Sequence, residues 1–134
     1  MTDIFVDPDA EFKIQLYVSK TKEKIVADTS KEALKETYED IIDIDEYTVT
    51  FRYPTFQDNT VISNAAMSLV DGKLTINPTS MRLKRMQSLI KSWTFKDKDG
   101  KVTTPNDSLV SQLHPSIANV LSMALEQKME QLGL

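Results

Sequence analysis

The sequence predicts an α+β fold, in which a small N-terminal antiparallel sheet packs against a mostly helical C-terminal half. Three observations carry this expectation. Phe12, Ile14, Leu16 and Val18 alternate with Lys13, Gln15 and Tyr17. Tyr47, Val49, Phe51 and Tyr53 alternate with Thr48, Thr50 and Arg52. Both runs have the period-two pattern of strands that bury one face. Later in the chain, apolar residues recur at spacings of three and four, the period of helices with one buried stripe. Strands come early and helices late, with no internal repeat and no low-complexity linker, so one domain over residues 11–134 is expected.

Each element has a local reason. Residues 1–10 include Asp7-Pro8-Asp9 and read as an acidic, extended lead-in. Lys20 to Lys24 is a charged turn, and Ile25-Val26 reads as a short returning strand. Ser30 caps a helix with Ala33, Leu34, Tyr38, Ile41 and Ile42 on its stripe. Glu39 to Glu46 is too acidic for a core segment and leads into the second long strand. Pro54, lacking an N–H, ends that strand. Thr55 and Asp58 then form a capping box that starts a helix at Phe56. Val61, Ile62, Ala65, Ala66 and Leu69 extend this helix to about Val70, where Asp71-Gly72 stops it. Leu74 and Ile76 suggest a short strand or an extended connector. Thr79 or Ser80 caps a third helix carrying Met86, Leu89, Ile90 and Trp93. A turn at Asp97–Gly100 precedes a short helix from Asp107 to Leu113, which His114-Pro115 breaks. Ile117, Val120, Leu121, Ala124 and Leu125 form the stripe of a last helix, expected to fray from about residue 126.

Composition narrows the function classes. A chain of 134 residues buries enough surface to be stable without staples. It has no Cys, so disulfides, thiolate nucleophiles and Cys-containing zinc sites are excluded. No apolar run is long enough to span a membrane, and the acidic start lacks the features of a signal peptide. The expectation is a soluble protein of the cytoplasm. Charge is strongly polarised along the chain. Residues 1–71 hold 7 Lys/Arg and 15 Asp/Glu, a net −8, whereas residues 72–101 hold 8 and 2, a net +6. Such asymmetry suits docking between parts of one molecule or between copies.

Each cluster of polar or charged residues has a plain structural role beside a functional one. Arg82, Lys84, Arg85 and Lys91 lie in the third predicted helix, and clustered cations are what phosphate binding needs. No helix-turn-helix, zinc or base-stacking pattern accompanies them, so nucleic acid is not the expected partner; an acidic protein surface is. Asp97-Lys98-Asp99-Gly100-Lys101 resembles a calcium loop only briefly, because the first and twelfth ligand positions would fall on Phe95 and Asn106. It is expected to be a turn. His114, the only histidine, reads as a helix cap rather than a catalyst. The acidic run Glu39–Glu46 reads as solvated surface, and three Gly leave no phosphate-cradling loop. Trp93 reads as core, and the six Met suit either a core or an adaptable surface. No cofactor, metal set or nucleophile–base pair is visible.

The order of Arg52-Tyr53-Pro54-Thr55-Phe56, Leu89-Ile90-Lys91-Ser92-Trp93, Asp99-Gly100-Lys101 and Leu113-His114-Pro115 resembles the small tail assembly chaperones of long-tailed bacteriophages. The resemblance covers roughly residues 47–125; residues 1–46 lie outside it. It implies a non-enzymatic helper in the host cell cytoplasm. Such a helper coats the helical tape-measure protein while tail-tube subunits polymerise around it, and it often has short and long forms made by a ribosomal frameshift. The expected contact surfaces are the last helix, through Leu121, Leu125 and Met129, and the basic helix, through Arg82 and Arg85. The alternative is a structural or adaptor subunit of the phage particle that self-associates through its oppositely charged halves. A nucleic-acid binder comes third and an enzyme last.

Overall fold

The computed structural model of the protein describes residues 4–134, so the first three residues of the acidic lead-in lie outside it. The chain runs β1 (Glu11–Lys20), β2 (Ile25–Asp28), α1 (Lys31–Thr37), β3 (Asp45–Arg52), α2 (Phe56–Ala66), β4 (Met67–Val70), β5 (Lys73–Ile76), α3 (Pro78–Leu89), β6 (Ile90–Trp93), α4 (Asp107–Ser111) and α5 (Pro115–Leu132). It is an α+β architecture. The main sheet has the order β2-β1-β3-β6, with every neighbouring pair antiparallel. β4 and β5 form a separate two-stranded hairpin.

Alternation along β1 and β3 places Phe12, Ile14, Val49 and Phe51 on one face, in the pairs Phe12↔Phe51 and Ile14↔Val49. That face packs with Met86 and Leu89 from α3, Trp93 from β6, Val110 from α4, and Leu121, Leu125 and Met129 from α5. The Phe12 and Phe51 rings stack with centroids 5.4 Å apart. The Trp93 indole is buried, and its Nε1–H donates to Thr103 Oγ1 at 2.9 Å. The sheet's other face carries the polar set Lys13, Gln15, Thr48 and Arg52.

Several expected boundaries move, each for a physical reason. α1 ends at Thr37, because Tyr38 is extended (φ −123°, ψ 118°) and caps it. Ile41 and Ile42 therefore lie in the loop before β3, and Ile42 is 89% exposed. α2 stops at Ala66 rather than Val70, since Met67–Val70 leave the helix to pair with Lys73–Ile76. α3 is capped by Asn77, whose side chain accepts from Thr79 N–H and Ser80 N–H, with Pro78 at the first helical position. It ends at Leu89, so Trp93 belongs to a strand. A β-bulge explains the misleading spacing. Phe51 pairs with Ile90 and Thr50 with Ser92, leaving Lys91 as the extra residue. Ile90 and Trp93, three apart as on a helix, thereby share the core face. α4 is capped by Asn106 and ends at Ser111. α5 does not fray at residue 126; it continues to Leu132, where Gly133 at φ 71° closes it. The Ser30 cap, the His114 cap and the Thr55–Asp58 capping box form as the sequence predicts.

Candidate docking surface

The expected contact residues separate into two groups. Leu121, Leu125 and Met129 are core: the first two are completely buried and Met129 is 8% exposed. They face the sheet because α5 stays regular to Leu132, which corrects their assignment as contact residues. Arg82 and Arg85 both reach Glu126 Oε1 of α5, at 3.2 and 3.3 Å. Arg85 also lies against the Met81 sulfur at 3.4 Å. This part of the basic helix is thus engaged within the chain. Lys91 Nζ contacts Glu11 Oε2 at 2.9 Å, an exposed pair in which the hydrogen bond with Lys91 lowers the Glu11 pKa.

The uncovered apolar surface lies instead on the β4–β5 hairpin. Its register pairs Met67 with Ile76, Ser68 with Thr75, Leu69 with Leu74 and Val70 with Lys73. Alternation puts Met67, Leu69, Leu74 and Ile76 on one face and Ser68, Thr75, Val70 and Lys73 on the other. The four apolar side chains are between 44% and 73% exposed. On the polar face the Ser68 and Thr75 hydroxyls are 2.7 Å apart. Asp71 (φ 52°) and Gly72 (φ 74°) both take left-handed backbone, as a two-residue hairpin turn of the mirror-image kind requires. The hairpin is held at its base, where Asn77 N–H donates to Ala66 C=O at 2.8 Å. Sequence reading missed this arm because Ile62, Ala65, Ala66 and Leu69 continue a helical stripe. The missed signal was the Asp-Gly pair flanked by alternation on both sides.

A second surface lies at the opposite end of the β1–β3 pair from the start of α2. There Val18, Ile25, Tyr47 and Ile117 line an open cleft of about 650 Å³, with Ile42 at its edge. Asp40, Asp43 and Asp45, together with Lys20 and Lys22, complete its lining. The Ser19 hydroxyl donates to Asp43 C=O, and Lys22 N–H to Asp40 Oδ2 at 3.3 Å, which ties the acidic loop to β1. Burial, with Asp45 nearby, raises the Tyr47 pKa.

The strand-to-helix join between β3 and α2 is a rigid clamp. Arg52 Nη1 and Nη2 donate to Asp58 Oδ2 and Oδ1 at 2.5 and 2.7 Å. Asp58 also accepts from the Thr55 N–H and hydroxyl. The bonds from Arg52 hold the Asp58 carboxyl well below the usual carboxylate range, against the opposing effect of burial. Pro54 is buried here and Phe56 is 90% exposed. Asp97–Lys101 is a turn closed by Gly100 N–H to Asp97 C=O.

Among the described residues no three His, Asp or Glu side chains group in a way that would hold a metal ion, and no helix is long and apolar enough to cross a membrane. Comparison with family models, curated proteins and solved structures finds no match to the chain.

Proposed function

We propose that this chain is a non-enzymatic docking protein, specifically a bacteriophage tail assembly chaperone that holds the tape-measure protein during tail assembly in the host cytoplasm. The observation that supports it is the β4–β5 arm, which presents Met67, Leu69, Leu74 and Ile76 on one uncovered face. An isolated two-stranded hairpin is marginal in water, and an exposed apolar face on it favours a partner. The arm takes the contact role expected of Leu121, Leu125 and Met129. The order of motifs from Arg52 to Pro115 supplies the phage assignment. Methionine and leucine on a small arm suit modest, displaceable binding, which a helper must release when tail-tube subunits arrive.

The test is to search the coding locus for a long helical reading frame immediately downstream, co-express its product with this chain, and assay affinity capture. Capture that Leu74→Asp abolishes is expected. No capture with the intact arm would sink the chaperone reading. A second reading, a structural or adaptor subunit of the particle, draws on the acidic and basic halves of the chain. Mass spectrometry of purified virions separates the two, since a subunit is present in stoichiometric copies and a helper is not.

A further inference from the structure

We infer that the β4–β5 arm of one copy docks, apolar face first, into the cleft beside Ile42 and Tyr47 of a second copy. The inference rests on the docking role proposed for the arm. It holds whether the assembled copies act as helpers or remain in the particle.

Both surfaces lie uncovered on the same chain and match in chemistry. The arm offers four aliphatic or thioether side chains on one face. The cleft offers an aliphatic and aromatic floor, and its volume of about 650 Å³ lies within the range that encloses several such groups. Ile42, 89% exposed at the cleft edge, extends the cleft's apolar lining to the surface. Charge selects the occupant. Residues 39–46 carry five carboxylates and no cation. Residues 67–89, the arm and the helix after it, carry Lys73, Arg82, Lys84 and Arg85 against Asp71 alone. Lys20 and Lys22 among the cleft's lining, and Glu126 beside Arg82 and Arg85, offset part of each charge, and the signs remain complementary.

Topology decides what such a contact builds. The chain enters α2, and so the arm, from the Arg52 end of β3, whereas the cleft sits at the Asp45 end. Each copy has one arm and one cleft, so the contact closes as a reciprocal pair or a larger ring, or propagates as an open string. The arm face is smaller than a standard interface, so association in the micromolar range is expected, weakening with added salt.

Sedimentation velocity of the full chain at about 100 μM, well above a micromolar Kd, tests this with two surface variants. Leu74→Asp removes the arm's apolar face, and Ile42→Asp removes the cleft edge; neither touches the core. Unchanged far-UV circular dichroism and Trp93 emission confirm that each folds. Wild type is expected to sediment as a dimer or a larger species, and each variant alone at the monomer mass of 15.2 kDa. An equimolar mixture of the two variants should form a dimer and stop there, because one intact arm meets one intact cleft. A monomeric wild type, an Ile42→Asp variant that assembles like wild type, or a mixture that stays monomeric would each overturn the inference. Capture of the tape-measure protein is read separately: wild type that self-associates without capturing it sinks the chaperone reading alone, and monomeric wild type that captures it sinks this inference alone.

Discussion

Replacing Asp58 by Asn tests how much the join between β3 and α2 contributes to the fold. The carboxylate takes two charge-assisted bonds from Arg52 and two more from Thr55, and its side chain is only 17% exposed. Asn keeps one acceptor oxygen and the shape but loses the charge. Charge-assisted bonds and helix caps each contribute on the order of 1–3 kcal/mol, and the partly exposed Arg52 places the pair at the lower end. The expected loss at pH 7 is therefore about 2 kcal/mol, a fall in Tm of about 8 °C for a domain this size. The pH dependence supplies a second, sharper check. Because the folded carboxyl sits below the unfolded value of about 3.9, its contribution is fully present above that value and is lost as pH falls toward the folded one. Each pH unit below the unfolded value removes about 1.4 kcal/mol of this contribution from wild type, a contribution the Asn variant lacks. Thermal unfolding of both proteins, followed by circular dichroism at pH 7 and pH 3, should show the gap narrowing by about 1 kcal/mol. A gap of equal size at both pH values would refute the assignment of the stability to this ion pair.

Other consequences are simpler to read. Leu89→Ala, at a completely buried position where α3 meets the sheet, should cost about 3 kcal/mol in urea unfolding. Trp93→Phe keeps most of the packing but removes the N–H that Thr103 Oγ1 accepts, and should cost about 1–2 kcal/mol by the same measurement. Gly72→Ala forces a side chain into left-handed backbone at the arm's turn, at a local cost of about 1 kcal/mol. Hydrogen exchange should accelerate in residues 67–76 while the protection of β1 and β3 stays unchanged. Acceleration across the main sheet would show that the arm and core unfold together.

Much of the fold was legible because its signals are local. β1 and β3 announce themselves by strict alternation, and Ser30, Thr55 and His114 cap where their side chains allow it. What stayed hidden depends on pairing between distant segments. Ile90 and Trp93 look helical because a bulge at Lys91, induced by pairing with β3, imitates a three-residue period. Met67 and Leu69 look helical because Ala66 is, and only their ladder with Leu74 and Ile76 draws them out of the helix. The contact surface was misplaced for the same reason. Periodicity identifies an apolar face without saying whether a neighbour covers it, so Leu121 and Leu125 were buried and the arm was missed.

The two joins at Ala66–Met67 and Leu89–Ile90 pass from helix to strand with no intervening loop. The arm's heading is therefore set by helix length, as a pointer is set by the number of threads on its screw. Adding one residue within α2 or α3 would turn the arm by about 100° and advance it by about 1.5 Å. A three- or four-residue addition would nearly restore its aim. Length changes in this region should therefore be tolerated at the Asp71-Gly72 tip and in whole helical turns, and nowhere between.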